Sequence, residues 1–211
     1  MLYIFFFTGV FLIGSIPFGL LIGQHRLKLD IRKEGSGNIG MTNVMRVGGK
    51  WAGILTFLLD FGKGATAVLI AKFFFLNSDL KPENQILLLN LSGFLVVLGH
   101  VYSVFLRFKG GKGISTLFGV LSILHFTIGL TSAIIWVIIF KWKNISSLSG
   151  ITMLSILPFL FIFVPWIKNE SPVYTVFLIF LMLSLLLLFK HKENIERLIL
   201  GKEDKLKTKN N

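Results

Sequence analysis

Three polar clusters interrupt a largely apolar chain, and each carries groups that could bind phosphate. They occupy residues 35–46 (GSGNIGMTNVMR), 99–113 (ending in KGGKG) and 191–197 (HKENIER). Exposed backbone N–H groups of glycine-rich segments and the side chains of Lys and Arg bind phosphate oxygens. The clusters together predict a site for a phosphate-bearing substrate, and the apolar remainder of the chain indicates that another substrate or the product is a lipid.

The first cluster combines a permissive backbone with polar side chains. Its glycines, at positions 35, 37 and 40, allow tight and left-handed conformations, so consecutive N–H groups can converge on an anion. Arg46 adds a fixed cation suited to bidentate phosphate binding. We assign Ser36 and Arg46 to catalysis, and Gly37, Asn38, Thr42 and Asn43 to substrate binding. An ordinary connecting loop is the alternative, since Ser, Gly and Asn are common turn residues.

The second cluster precedes a helix that we expect to begin near position 114. Two lysines and three glycines at a helix N-terminus predict a phosphate cradle, but not a Walker A loop, because glycine follows the second lysine. A basic membrane anchor would explain the lysines but not the glycines, and His100 could instead be a hydrogen-bonded core residue. We assign Lys112 to catalysis and His100, Lys109, Gly110, Gly111, Gly113 and Thr116 to substrate binding.

The third cluster places His191, Asn194 and Arg197 on one helical face, because they are spaced three residues apart. His191 and Asn194 could orient a substrate hydroxyl and are assigned to catalysis, with Arg197 in substrate binding. The solvated end of an amphipathic helix is the alternative. Asp60 and Lys63 are ionisable groups inside an apolar run, which are costly and usually functional. A structural ion pair is favoured for Asp60, whereas Lys63 could still reach the substrate.

Composition determines the class of protein that must position these residues. The chain has 211 residues, of which 54% are hydrophobic and 15% charged, with a mean hydropathy of +0.77. Soluble domains are typically about 45–50% apolar and about 25% charged. The sequence therefore predicts an all-α polytopic membrane protein with a single domain, 1–211. It contains no cysteine, which excludes disulfides and thiolate chemistry.

Apolar runs predict the membrane spans, each of which needs about 20 residues. The predicted spans are 2–22, 51–76, 85–106, 113–140, 147–164 and 171–189. The first is read as a span rather than a signal peptide, because no basic residue precedes it and no cleavage site ends it. The run at 113–140 gives six spans as one helix, or seven if it breaks near Leu124-His125-Phe126.

The distribution of basic residues favours seven spans. With the N-terminus outside and the C-terminus cytoplasmic, 18 of the 22 Lys and Arg residues fall in inner segments, against Lys72, Lys81 and Lys168 outside. Six spans would place the basic tail outside. The three polar clusters are then all cytoplasmic, where they could meet at one site. Since the basic residues flank spans rather than line a soluble face, we expect no nucleic-acid partner.

Three motifs in order resemble a known family. They are GSGNIGMTNVMR at 35–46, GHVYSVFLRFKGGKGIST at 99–116, and His-x-x-Asn-x-x-Arg-Leu-x-x-Gly-x-Glu at 191–203. Over essentially the whole chain, the sequence resembles the acyl-phosphate-dependent glycerol-3-phosphate acyltransferases of bacteria, the PlsY family. Ser103 stands where that family usually has proline, whose fixed φ is lost, so we expect a looser end of the third span.

The resemblance implies the first acylation of phospholipid synthesis, in the bacterial inner membrane. The sn-1 hydroxyl of glycerol 3-phosphate attacks a fatty acyl phosphate, giving lysophosphatidic acid and phosphate. The expected partners are acyl phosphate, glycerol 3-phosphate and membrane lipids, with no cofactor, metal or obligatory protein partner. A transporter or a structural membrane subunit is the rival class. Polar groups gathered at one face disfavour a transporter, and a structural subunit would not need the glycine-lysine clusters.

Direct attack without an acyl-enzyme is the expected mechanism. The chain lacks cysteine, and no Ser-His-Asp arrangement can be placed in it. The base that accepts the hydroxyl proton is either His191 or a substrate phosphate oxygen. The phosphate is favoured, because we expect no carboxylate beside His191 in the clusters, apart from Glu193 on another face. The preferred acyl-chain length, the oligomeric state and the substrate bound at each phosphate site stay open.

Overall fold

The computed structural model describes residues 1–168 and 173–206, and these residues contain helices and no β-strand. The helices are α1 (Leu2–Ser15), α2 (Phe18–Ile22), α3 (Met41–Leu76), α4 (Pro82–Val101), α5 (Ile114–Leu124), α6 (Phe126–Lys143), α7 (Ser146–Ile167), α8 (Tyr174–Lys190) and α9 (Lys192–Ile199). The predicted all-helical membrane architecture is confirmed.

Five helical stretches in the described part of the chain are long and apolar enough to cross a membrane. They are 2–27, α3, 82–106, α6 and α7, and the pair α8 and α9, bent by 60°, would be a sixth. With 11 residues, α5 is about 16 Å long, short of a bilayer core of about 30 Å. The count of seven spans and the orientation of the termini stay predictions. Positions 171–172 of the last predicted span and the tail lysines at 207 and 209 lie outside the described residues.

The apolar run at 113–140 does break, as the two-helix alternative predicted. His125, at φ −142° and ψ 63°, separates α5 from α6. Its Nε2 lies 2.7 Å from Asn90 Oδ1 on α4, and its ring meets Phe161 and Phe180 edge-on. The side chain thus binds neighbouring helices at the point where the helical backbone is interrupted.

The first cluster is more helical than the sequence indicated. The second predicted span starts at position 51, whereas α3 already begins at Met41. Gly49, at φ 83° and ψ 173°, divides α3 into a short helical segment, 41–48, and the apolar span that follows. Only glycine adopts this backbone conformation readily. The early start brings the N-terminus of α3 to the polar residues of the first cluster.

Small residues let α3 and α5 approach closely. A Cβ on Gly64 would lie 2.3 Å from the carbonyl oxygen of Thr116, and one on Gly119 would lie 2.0 Å from that of Phe61. Close backbone approach at small residues is a common way of packing membrane helices. This contact brings the buried Asp60 of α3 near the beginning of α5.

Ser103 does not leave the end of α4 loose, contrary to expectation. Its φ of −59° is close to the value that proline would impose, and its side chain is buried. Its hydroxyl donates to the carbonyl oxygen of Ser15 at 2.5 Å. The segment after α4 is therefore tied to the end of α1.

Candidate active site

One cavity of about 460 Å³ contains residues from all three polar clusters. The predicted site residues that line it are Ser36, Asn38, Thr42, Asn43, Arg46, His100, Lys112, Gly113, His191 and Asn194. Those absent from its lining are Gly37, Lys63, Lys109, Gly110, Gly111, Thr116 and Arg197. The fold thus brings together the predicted catalytic residues, whose individual roles stay predictions.

Three helices begin at the cavity. Met41 of α3, Ile114 of α5 and Ser146 of α7 are the first residues of their helices, and all three line it. The first N–H groups of a helix have no partner within the helix, and its N-terminus carries partial positive charge. The Oγ atoms of Ser146 and Thr42 are 2.8 Å apart, which joins two of these helix starts. The arrangement is suited to binding anions.

Asn43 organises the loop of the first cluster. Its Oδ1 accepts a hydrogen bond from the N–H of Ser36 at 2.8 Å, and its Nδ2 donates to carbonyl oxygens of the loop, those of Ile31, Glu34 and Asn38. A Cβ on Gly35 would lie 2.4 Å from Asn43 Oδ1. The amide of Asn43 is therefore bound within the protein, and it presents the loop to the cavity.

Lys112 connects the second cluster with the third. Its side chain is half-buried, and its Nζ donates to Asn194 Oδ1. Burial lowers the pKa of Lys112 to about 8, with Glu203 opposing this effect and Arg197 adding to it. The ammonium is still mostly protonated at neutral pH, and incomplete hydration makes it a strong partner for a substrate anion.

The two central glycines of the second cluster do not present their N–H groups as a phosphate cradle, contrary to prediction. The N–H groups of Gly110 and Gly111 donate to the carbonyl oxygens of Val101 and His100, each at 3.1 Å. Lys109 is exposed and lies off the cavity. Within this cluster, the start of α5 is what offers backbone N–H groups to the cavity, because Gly113 turns the chain there at φ 80°.

His191 lies between α8 and α9, where the chain bends. Its Nδ1 is 2.8 Å from the carbonyl oxygen of Leu187, so Nδ1 is the donor and Nε2 is left as an acceptor. Burial lowers the pKa of His191 to about 4, although the bond to Leu187 favours protonation. The ring is therefore neutral near pH 7, and it is 3% exposed.

Glu203 is a charged site residue that the sequence assignments missed. Its carboxylate accepts hydrogen bonds from Ser147 Oγ at 2.6 Å, Asn194 Nδ2 at 2.6 Å and Arg197 Nε at 2.7 Å. Burial alone would raise the pKa of Glu203, but these three bonds outweigh it and lower the pKa. The expectation about the base considered only carboxylates within the clusters, and Glu203 lies beyond the third cluster, so it was left out. The glutamate that ends the third motif was the available signal.

The remaining charged residues assigned from the sequence are bound to other protein groups. Arg197 is held by Glu203 and lies off the cavity lining. Lys63 pairs with Asp60 at 2.8 Å and donates to the carbonyl oxygen of Ile16 at 2.7 Å, so it lies behind the cavity rather than in it. The ion pair that the sequence favoured for Asp60 is present.

A large apolar surface also lines the cavity, and the sequence assignments did not include it. Its lining side chains lie on α3, α5 and α6, and they are Phe57, Phe61, Phe118, Phe126, Leu130, Ala133, Trp136 and Val137. On α6 they recur every three or four residues, which places them on one helical face. Apolar residues of this kind occur along all the candidate membrane spans, so only packing could distinguish the ones that line the cavity.

Known proteins resemble this chain over nearly its full length. A profile of the family described as glycerol-3-phosphate acyltransferase matches residues 4–201. The glycerol-3-phosphate acyltransferase of Bartonella quintana (strain Toulouse) is 40% identical over 205 residues, covering 97% of this chain and 92% of that relative. The enzyme of the same name from Aquifex aeolicus (strain VF5) is 41% identical over 201 residues, covering 95% and 97%.

Two crystal structures of PlsY, described as an integral membrane glycerol 3-phosphate acyltransferase, share the fold at 38% identity. The glycerol 3-phosphate form has a TM-score of 0.83 and covers 98% of this chain and 96% of its own. The lysophosphatidic acid form has a TM-score of 0.80 and covers 97% and 95%.

Proposed function

The chain belongs to the glycerol-3-phosphate acyltransferase family of integral membrane enzymes, and we propose that it uses a fatty acyl phosphate as its acyl donor. The product is lysophosphatidic acid acylated at the sn-1 position. The single observation that carries this proposal is the composition of the cavity. Its lining combines Arg46, Lys112 and three helix N-termini with an aromatic and aliphatic surface. An acyl phosphate has the same two parts.

The transfer proceeds by direct attack. The sn-1 oxygen of glycerol 3-phosphate forms a bond with the acyl carbon, and the bond from that carbon to the bridging phosphate oxygen breaks. The electron pair of the broken bond leaves with inorganic phosphate, and the hydroxyl proton passes to a phosphate oxygen. The cavity lining contains no cysteine nucleophile, since the chain has none, which supports a mechanism without an acyl-enzyme.

A substrate phosphate is a better base here than His191. An effective base has a pKa near the working pH, and burial lowers the pKa of His191 to about 4. A phosphate monoester has a second pKa of about 6. The Nε2 atom of His191 can instead accept a hydrogen bond from the sn-1 hydroxyl and orient it toward the acyl carbon. Asn194, whose amide is fixed by Lys112 and Glu203, helps to keep the hydroxyl in this orientation.

Cations and helix N-termini stabilise the charge that develops during transfer. Negative charge builds on the acyl oxygen and on the departing phosphate, where Lys112, Arg46 and N–H groups at the start of α5 are available. Preorganised donors of this kind are usually the largest contribution to catalysis in acyl transfer. Ser36 lies in the same lining and supplies a further donor.

The site faces the cytoplasm in this proposal, and the protein resides in the bacterial inner membrane. The distribution of Lys and Arg along the chain supports that orientation. Acyl phosphate then reaches the apolar part of the cavity from the lipid, and glycerol 3-phosphate reaches the polar part from the cytoplasm.

A donor comparison tests the proposal. Purified enzyme in lipid nanodiscs is supplied with glycerol 3-phosphate and, in parallel, palmitoyl phosphate, palmitoyl-CoA or palmitoyl acyl carrier protein. We expect lysophosphatidic acid from palmitoyl phosphate and nearly none from the thioesters. Comparable rates with palmitoyl-CoA would refute the donor assignment while leaving family membership intact.

A further inference from the structure

A buried polar network adjoins the cavity, whose lining includes its members Asp60 and His100, and it has no role in the transfer steps described above. Asp60 and Lys63 pair across 2.8 Å on α3, and each side chain is 2% exposed. The bond from Lys63 to the Ile16 carbonyl anchors the pair to the segment between α1 and α2. Asp60 Oδ1 is also 3.5 Å from Nδ1 of His100, in the last turn of α4. The network therefore connects three parts of the helical bundle.

The His100 ring has a defined orientation within this network. Its Nδ1 lies between two oxygens, 3.2 Å from Thr116 Oγ1 and 3.5 Å from Asp60 Oδ1. Thr116 Oγ1 makes the hydrogen bond to Nδ1, and Asp60 Oδ1 lies at the longer distance, so both side chains face the same edge of the ring. The opposite edge of the ring, at Nε2, then faces the glycine pair of the second cluster.

Gly111 packs directly on that edge. A Cβ at this position would lie 2.3 Å from His100 Nε2. The N–H groups of Gly110 and Gly111 also bind the final carbonyl oxygens of α4. The ring and the end of α4 together fix the path of the chain immediately before Lys112, whose Nζ reaches Asn194.

We propose that Asp60 and His100 are positioning residues for acyl transfer, holding the 109–113 segment against the end of α4 so that Lys112 is fixed among the anion-binding groups of the cavity. This inference rests on the proposed function, in which Lys112 stabilises the transferring phosphate. Asp60 and Thr116 face the Nδ1 edge of the ring and limit its rotation, and the ring supports Gly111 by its shape. A displacement of about 1 Å in a catalytic group can cost about 100-fold in rate.

A double-mutant cycle between His100 and Lys112 tests the coupling. We expect His100→Ala to lower kcat/KM by about 100-fold in the wild-type background. In the Lys112→Ala background the same change should lower kcat/KM by less than about threefold, because the ammonium that His100 positions is absent. Asp60→Asn should show the same dependence on Lys112. Equal losses in both backgrounds would overturn the proposal, since a merely structural role acts whether or not Lys112 is present.

The two glycines provide a matched pair for the second test. Gly111→Ala should lower kcat/KM little further in His100→Ala, because the three heavy atoms nearest to its Cβ, at 2.3 to 3.2 Å, all belong to the His100 ring. A Cβ on Gly110 would instead lie 2.0 Å from the His100 carbonyl oxygen, which belongs to the backbone. Gly110→Ala should therefore still lower kcat/KM clearly in the His100→Ala background. Equal losses of kcat/KM for both glycine variants in that background would contradict the proposal that the His100 ring supports Gly111.

Two precautions distinguish a folding defect from a loss of catalytic activity in these variants. Each variant is assayed at equal amounts of monodisperse protein, with kcat and KM for glycerol 3-phosphate measured separately. If His100→Ala does not fold, His100→Asn takes its place, since it keeps a polar group near Thr116 but lacks the Nε2 edge. If the wild type rejects acyl phosphate, the donor proposal fails, and the cycle is measured with the donor that it accepts. Additive effects in active variants would refute the positioning role alone.

Discussion

Lys112 is the residue through which the second and third clusters touch, by its bond to Asn194. Asn194 in turn donates to Glu203, which also binds Ser147 and Arg197. A cation and a carboxylate thus fix the two ends of one amide. Since the interactions at a coupled site are not independent, each of these side chains affects the geometry of the others.

Loss of the Lys112 ammonium should reduce catalysis strongly. A charge-assisted contact is worth about 1.5–3 kcal/mol, so Lys112→Ala should lower kcat/KM by roughly 10- to 150-fold. Initial rates at varied glycerol 3-phosphate measure this effect. Lys50→Ala removes an exposed lysine of the same charge and should stay near wild type. Near-wild-type activity of Lys112→Ala would mean that the glycine-lysine segment is only a membrane anchor.

The pH dependence of kcat/KM should report the same ammonium. Burial lowers the pKa of Lys112 to about 8, so the free enzyme loses this charge as the pH rises through that value. We expect kcat/KM to fall above about pH 8. Arginine keeps its charge at all these pH values. If Lys112→Arg retains activity, its kcat/KM should therefore not fall above about pH 8. An unchanged fall of kcat/KM above about pH 8 in Lys112→Arg would mean that another group titrates there.

The role of His191 can be decided by replacing it with glutamine. If His191 only orients the hydroxyl, His191→Gln should keep measurable activity, and its dependence on pH should follow the wild type. A base would instead give a loss of about 10²–10⁴-fold and a changed profile. We expect the first result, because the low pKa of His191 makes it a weak base. Asn194→Ala should lower turnover even with all charges in place.

At the scale of the helices, the site is assembled from their ends. The starts of α3, α5 and α7 and the bend between α8 and α9 all lie at the cavity. Each start depends on local backbone chemistry, and Gly113 is the clearest case. Its φ of 80° is one that residues other than glycine rarely adopt, and it is the residue that precedes α5.

Gly113→Ala should destabilise the protein more than a glycine variant with strain alone. Its Cβ would lie 2.9 Å from Val97 Cγ1 and 3.2 Å from Leu187 Cδ2. Gly201 shares a positive φ, 67°, but a Cβ there would have no neighbour within 4 Å. Gly201→Ala should cost about 1–2 kcal/mol from the left-handed backbone, and Gly113→Ala more. The midpoints of thermal unfolding in detergent compare them, and equal shifts would contradict crowding at Gly113.

At the scale of the whole molecule, orientation in the membrane decides which compartment supplies glycerol 3-phosphate. The cavity opens among the polar clusters, whose flanking segments carry most of the Lys and Arg residues. Positive segments are retained in the cytoplasm. The proposed cytoplasmic site therefore depends on the topology of the chain.

Single cysteines can map this topology without background, because the chain has no native cysteine. Asp79 and Lys202 are both exposed and lie in predicted segments on opposite sides of the membrane. We expect Asp79→Cys to react with an impermeant maleimide in intact spheroplasts, and Lys202→Cys to react only after permeabilisation. Labelling of both variants from outside would refute seven spans with an external N-terminus.

The sequence by itself determined the all-helical membrane class, the break near His125 and the polar clusters. These follow from hydrophobic length, the cost of polar groups in lipid and the residue types of each cluster. The glycerol-3-phosphate acyltransferase family was also recognisable from its three motifs, because short runs of glycine, lysine, histidine and asparagine carry that signal.

Only the tertiary structure decided which groups of each cluster face the cavity. Gly110 and Gly111 bind the end of α4, Lys63 binds Asp60, and Glu203 holds Asn194. Each of these contacts joins segments whose relative positions depend on helix packing. Composition and spacing show that a group can bind an anion, but a buried polar group binds the partner that packing brings within reach.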